Sequence, residues 1–133
     1  MSKEHAKHNE KACDHLLGKP NEEGLTFHDW VVTTAFYSAM HYVQHEIFPL
    51  EIGGAVYNSF NEYYHRHFKG SEKPSKHTAT AELVRLNIYN AYASYKALVD
   101  SCHTARYTDY QTSAAVAEAA RRRLDQIKKF LKK

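Results

Sequence analysis

The stretch TFHDWVVTTAFYSAMHYVQHEIFP, residues 26–49, is the most apolar run of the chain and decides the predicted fold. Its apolar residues cover more than one helical face, which predicts a helix buried by neighbours on several sides. Thr26 is the predicted N-cap, Asp29 adds a carboxylate at the positive end of the helix dipole, and Pro49 ends the helix. We therefore expect a central helix over about 29–48, around which the other elements pack.

A narrow polar stripe crosses this apolar helix. Its members are three or four residues apart and so share one side of the helix: Thr33 or Thr34, Tyr37 or Ser38, His41 and His45. Such a stripe either faces a crevice or a second subunit, or finds hydrogen-bond partners inside the core. Tyr37, His41 and His45 are our candidate binding residues. The spacing of His41 and His45 is compatible with a metal ion, but the adjacent Glu46 points away from their side of the helix, so we predict no metal and no cofactor.

Composition predicts one all-α domain over residues 1–133. Hydrophobic residues make up 43% and charged residues 25%, as in globular proteins, while Gly (5) and Pro (3) are sparse. Apolar periodicity predicts a first helix over 3–17, a short helix over 55–68, a long helix from Ser75 or Thr78 to about Thr104, and a last helix capped by Thr112 or Ser113. With the central helix, these form an antiparallel up-and-down bundle of four main helices plus one short helix.

The sequence also favours residence in the cytoplasm and no contact with a membrane. No apolar run approaches the roughly 20 residues that a membrane span needs. The first residues, MSKEHAKHNEKA, have no apolar core of a secretory signal. Cys13 and Cys102 have no metal-binding spacing, so we interpret both as small buried apolar groups.

The common catalytic motifs are missing from this sequence, including the phosphate loop, CxxC, HExxH and GxSxG. The best candidates are Arg66 and His77, on either side of the loop GSEKPSK. Arginine offers a planar fork for phosphate oxygens, and histidine exchanges a proton with a ribose hydroxyl near neutral pH. A solvated basic loop explains the same residues.

Arg106 and Tyr107 are further candidates because they lie where a long helix is predicted to end. An arginine there either binds a ligand, caps the last carbonyls of the helix or pairs with an acid from another helix. We retain both residues as candidate binding residues.

Three segments together resemble small bacterial proteins of the HEPN superfamily. They are DWVVTTAFYSAMHYV (29–43), the histidine after a loop at His77, and YKALVDSCHTARY (95–107). The resemblance covers about residues 5–130 and implies a helical bundle that pairs into a homodimer. It also implies a metal-independent endoribonuclease, with a histidine acting on the ribose hydroxyl or the leaving oxygen and an arginine stabilising the phosphorane.

The chain departs from that family at one point. Active members carry an arginine followed, after four to six residues, by a histidine, and this spacing is absent here. Similar proteins have an arginine three residues after the counterpart of His77, where this chain has Thr80. The resemblance thus implies a HEPN-like protein of RNA processing, toxin–antitoxin pairs or antiviral defence, with RNA, a nucleotide or an operon-encoded protein as partner. The alternative is a non-catalytic module that dimerises.

Overall fold

Most of the chain is helical in the computed structural model, which describes residues 2–17, 27–70, 73–107 and 112–133. The described residues form six helices and one antiparallel hairpin, which confirms the predicted helical class. The helices are α1 (Ser2–Leu16), α2 (His28–Ile47), α3 (Phe60–His67), α4 (Lys76–Asn87), α5 (Tyr89–Tyr107) and α6 (Ala114–Lys128). The hairpin strands are β1 (Leu50–Ile52) and β2 (Ala55–Tyr57).

Helix α2 lies at the centre, as its apolar faces predict, and packs against α1, α4, α5 and α6. Val31, Ala35 and Val43 are completely buried on it. The predicted cap Thr26 lies outside the described residues. The N-cap position is Phe27, whose side chain makes no capping hydrogen bond. The start of α2 therefore depends on packing rather than on a side-chain cap.

The predicted short helix over 55–68 is wrong in its first part. Residues Ala55–Tyr57 form strand β2, and Leu50 pairs with Tyr57 across the hairpin. Gly53 and Gly54 form the two-residue turn, with φ of 57° and 86°. Tight hairpin turns of this kind need positive φ at both central positions, which glycine adopts without strain. The helix begins only at α3, where the Ser59 hydroxyl accepts a hydrogen bond from the Glu62 amide.

The predicted long helix over 75–104 is also wrong, because it is two helices. Helix α4 ends at Asn87 and α5 begins at Tyr89, with Ile88 between them at φ −136° and ψ 58°. The side-chain Nδ2 of Asn87 donates a hydrogen bond to the Leu83 carbonyl, and this local bond competes with the backbone hydrogen bonds of the helix. The apolar period continues through this break, so periodicity alone could not reveal it.

An ionic network attaches α1 to the rest of the fold. The Glu10 carboxylate accepts hydrogen bonds from the Tyr42 hydroxyl (2.7 Å), Arg121 Nη2 (2.9 Å) and Lys128 Nζ (2.9 Å). Arg121 also donates to Asp14, at 2.6 Å. Burial by itself would raise the pKa of Glu10, but the bonds from Tyr42 and Lys128 and the charge of Arg121 outweigh it, so this pKa is lowered.

This network predicts that Glu10→Gln lowers the free energy of unfolding by an amount that depends on pH. At pH 7 we expect the free energy of unfolding to fall by about 1–3 kcal/mol, because three donors lose a charged acceptor. A carboxylate whose pKa is lower in the folded than in the unfolded state stabilises above the unfolded pKa, and this contribution disappears as the pH falls through the folded pKa. The difference between wild type and variant should therefore shrink below about pH 4. Urea unfolding at several pH values measures it.

The control for this change is Glu51→Gln on the exposed face of β1. It makes the same chemical substitution outside the network, so its effect should stay within about 0.5 kcal/mol. A Glu10→Gln effect of the same size at pH 3 and at pH 7 would contradict the proposed role of the carboxylate charge.

Both cysteines are buried, as predicted. Burial raises the pKa of the Cys13 thiol to about 11, so it stays protonated at neutral pH. Its sulfur lies 3.5 Å from the Val31 carbonyl oxygen at the contact of α1 with α2. Within the described ranges, no helix combines the length and apolarity needed to cross a membrane.

Candidate functional site

The polar stripe of α2 divides between the core and two surface crevices. Ser38 is completely buried and donates to the Ala6 carbonyl of α1, at 2.7 Å. Thr33 and Thr34 donate to carbonyls one turn back in α2 itself. These three hydroxyls therefore serve the fold, whereas Tyr37 and His41 are half-buried.

Tyr37 of α2 and His77 of α4 line the same crevice. We call this cavity of about 250 Å³ the α2–α4–α5 crevice. It is lined by residues of those three helices: Phe36, Tyr37, His77, Thr78, Lys96, Val99, Asp100, Cys102 and His103. Two imidazoles, a phenol, an ammonium and a carboxylate thus meet in one small volume.

Local sequence places His77 in the first turn of α4. The Ser75 hydroxyl caps the helix by accepting from the Thr78 amide, and Gln44 of α2 donates to Thr80, at 3.1 Å. Thr80 is completely buried and donates to the Lys76 carbonyl. An arginine at position 80 would thus meet the α2–α4 contact, whereas His77 lies on the exposed side of α4.

Helix α5 contributes three polar residues that the sequence analysis did not single out. Lys96, Asp100 and His103 are spaced four and three residues apart, which puts them on one face of a helix. Lys96 Nζ donates to Asp100 at 2.9 Å, and this hydrogen bond raises the pKa of the lysine. Their helical spacing was visible in the sequence, but nothing in it showed that this face meets His77.

Arg66 does not line the α2–α4–α5 crevice. Its guanidinium donates to Glu62 at 2.6 Å and lies 5.2 Å from the centre of the Tyr57 ring. The catalytic role predicted for Arg66 from the sequence thus stays a prediction that this contact does not support. Arg106 and Tyr107 belong to the last turn of α5, and their side chains lie outside the described residues.

His41 and His45 line a second and larger cavity of about 610 Å³. We call it the three-histidine crevice because His5 of α1 joins them there. Its other lining residues come from α2, the start of α3 and the start of α4: Met40, Gln44, Phe48, Asn58, Ser59, Phe60, Asn61 and Lys76. Across the described ranges, no group of three or more histidine, cysteine or acidic residues is arranged to hold a metal ion.

Comparisons with protein families, curated proteins and solved structures find no match to this chain. The HEPN resemblance therefore stays a prediction. The two crevices and the residues that line them are the features of the described structure that bear on function.

Proposed function

We propose that this protein is a HEPN-like helical protein that acts on RNA, with the α2–α4–α5 crevice as a metal-independent site of phosphodiester cleavage. The supporting observation is that imidazoles from two helices, His77 and His103, line this one crevice. Imidazole exchanges protons near neutral pH, so such a pair supplies a base and an acid together. The proposal includes the antiparallel up-and-down arrangement of the main helices, and a cytoplasmic role in RNA processing or defence.

The proposed reaction is transfer of the phosphodiester to the neighbouring ribose hydroxyl. A neutral imidazole removes the proton of the 2′-hydroxyl, and the 2′-oxygen forms a bond to phosphorus. The bond from phosphorus to the 5′-oxygen breaks, and the second histidine, as imidazolium, gives a proton to that oxygen. The products are a 2′,3′-cyclic phosphate and a 5′-hydroxyl. The step consumes no water and is proposed to proceed without a metal ion.

Cations near the two imidazoles would stabilise the charge that develops on the phosphoryl oxygens. Lys96 also lines the crevice, but its ammonium is paired with Asp100. Arg106 follows His103 by one helical turn, and a guanidinium presents a fork that fits two phosphate oxygens. We therefore propose Arg106 as the principal electrostatic residue, with Tyr37 and Tyr107 contacting the RNA.

The test is incubation of purified protein with single-stranded and structured RNA in EDTA. We expect cleavage that yields 2′,3′-cyclic phosphate ends, and none in the same sequence with a 2′-deoxy residue at the cleavage position, since the nucleophile is then missing. Intact RNA in all conditions, or cleavage of the 2′-deoxy substrate, would refute this mechanism.

A second candidate function is a module that dimerises, and exposed aromatic side chains favour it. Tyr89 is 72% and Phe130 is 42% exposed, and both line a cavity of about 410 Å³ with Ile88 and Leu131. Exposed apolar patches with aromatic residues are typical of protein interfaces. We propose a second copy of this chain as the partner, because the resemblance implies a homodimer.

This proposal predicts that Tyr89→Ala shifts the protein from dimer toward monomer. Light scattering after size exclusion, over a range of concentrations, gives the mass directly. Trp30→Ala is the control, because Trp30 is also exposed, at 52%, and does not line this cavity. A wild-type protein that is monomeric at every concentration, or equal dissociation of both variants, would exclude this face as the dimer interface.

A further inference from the structure

The three-histidine crevice has a basic lining without an acid. Among the described residues, its titratable side chains are those of His5, His41, His45 and Lys76, and none of its lining residues is an aspartate or a glutamate. None of the ion pairs among the described residues involves Lys76. Lys76 is therefore the permanent cation of the crevice, and an imidazole adds positive charge only when it is protonated.

Burial and neighbouring cations oppose the protonation of two of these histidines. Burial lowers the pKa of His41, and the neighbouring His5, with ring centres 5.1 Å apart, lowers it further. Burial, Lys3 and Lys133 likewise lower the pKa of His45. Both histidines thus lie among cations, and an anion that enters would remove the repulsion that opposes their protonation.

Glu46 is the acid that acts on His45 from the same helix, and its charge offsets only part of the lowering of that imidazole's pKa. Its carboxylate accepts hydrogen bonds from the backbone amides of Lys132 and Lys133, at 2.8 and 3.0 Å. The side chain of Lys133 also donates to the His45 carbonyl. Glu46 is therefore bonded to the C-terminal residues rather than aimed into the crevice.

Hydrogen-bond donors are also present in the wall of the crevice. His41 Nδ1 is shielded from solvent and has no hydrogen-bond partner in the described part of the chain. Asn58, Ser59 and Asn61 line the wall at the start of α3, where the first amides of a helix have no acceptor within the helix. Positive charge together with available donors is the environment that a phosphate group needs.

We propose that the three-histidine crevice binds the phosphate group of a nucleotide, and that it holds a neighbouring nucleotide of the RNA strand cleaved at the α2–α4–α5 crevice. Lys76 lines the three-histidine crevice and His77 lines the α2–α4–α5 crevice, so consecutive residues of α4 belong to the two cavities. The cavity of about 610 Å³ is large enough for more than a bare phosphate, and Met40, Phe48 and Phe60 supply apolar wall. The role in strand binding rests on the proposed function, whereas phosphate binding stands by itself.

The experiment is a titration followed by NMR signals of the histidine rings, assigned with single His→Gln variants. The probes are adenosine 5′-monophosphate, adenosine, inorganic phosphate and a 2′-O-methyl trinucleotide that cannot be cleaved. We expect the monophosphate and inorganic phosphate to shift His41 and His45 and to raise their pKa, while adenosine leaves them unchanged. The trinucleotide should shift these two histidines together with His77 and His103.

The matched variants are Lys76→Ala and Lys11→Ala, which remove the same charge from exposed positions of α4 and α1. Lys76→Ala should weaken binding of the monophosphate about tenfold or more, since a charged hydrogen bond is lost. Lys11→Ala should bind like the wild type. Circular dichroism and melting curves verify that both variants are folded.

The outcomes separate the two proposals. If the phosphate probes leave His41 and His45 unchanged, or if adenosine shifts them equally, the crevice is not a phosphate site, whatever happens at His77. Equal binding by Lys76→Ala and wild type would also overturn the inference. If the monophosphate binds but the trinucleotide does not shift His77 and His103, the crevice is a site for free nucleotides and the strand assignment fails.

Discussion

Replacing His77 with alanine is expected to lower the rate of RNA cleavage by about 10²- to 10⁴-fold, the range that general acid–base catalysis contributes. The residue lines the α2–α4–α5 crevice from the first turn of α4, on the exposed side, so its removal should not disturb the fold. The measurement is the single-turnover rate in EDTA at saturating protein. Loss of rate without loss of RNA affinity would identify a role in the chemical step rather than in binding.

His8→Ala is the matched control, because His8 is exposed on α1 and lines neither of the two crevices. It should cleave at the wild-type rate. His103→Ala should be impaired to a similar degree as His77→Ala, and the double variant little more, because groups that act together are not additive. An active His77→Ala protein would remove the crevice from consideration as the catalytic site.

Arg66→Ala decides the remaining catalytic prediction from the sequence. The guanidinium contacts Glu62 and Tyr57 and does not line the α2–α4–α5 crevice, so the proposed site does not require it. A strong loss of cleavage in this variant would show that Arg66 reaches the RNA from outside the crevice.

The largest effect on stability is expected from Leu124→Ala, which should lower the free energy of unfolding by about 2–5 kcal/mol. Leu124 is completely buried on α6, which packs against α2 and α5. Truncation removes buried methyl groups and leaves a cavity that the surrounding helices fill only in part. Chemical denaturation with a two-state fit measures the change, and the slope with denaturant should stay constant.

Leu86→Ala is the same substitution at a surface position, since Leu86 is 63% exposed on α4. Its effect should stay within about 0.5 kcal/mol. If the free energy of unfolding fell by the same amount in Leu124→Ala and Leu86→Ala, α6 would not be part of the main core. If Leu86→Ala alone were destabilised, and only at concentrations where the protein dimerises, its surface would belong to an interface.

The central helix shows how much of the fold was open to prediction. Its apolar faces indicated burial on several sides, and α2 does contact four other helices. Pro49 marked its end within two residues, Ser75 was named as a possible start of the helix that is now α4, and Ser113 was named as a possible cap of α6. These signals act over one or two turns, so they can be found in a single sequence.

The predicted secondary structure was wrong where local sequence signals compete or are absent. The hairpin was missed because the short strands on either side of Gly53 and Gly54 carry too few residues for alternation to show. The break at Ile88 was hidden because apolar residues keep the helical period across it. In both places the choice depends on small backbone preferences that packing can overrule.

The candidate site was predicted only in part. Tyr37, His41, His45 and His77 were named from the sequence, and each lines one of the two crevices. His103 and Lys96 were missed, and Arg66 was placed with His77 although it contacts Glu62 instead. Nothing in residue type or spacing shows which side of α5 meets the start of α4.

By itself, the sequence determined the helical class, the buried central helix and the histidine-bearing stripe along it, because helix formation, capping and amphipathicity depend on residues within one or two turns. Only the tertiary structure decided that this stripe divides between two crevices. Tyr37 lines one with His77 and His103, and His41 and His45 line the other with His5 and Lys76. The physical reason is that each crevice joins side chains from helices far apart in the chain, and the packing of those helices decides which of their faces meet.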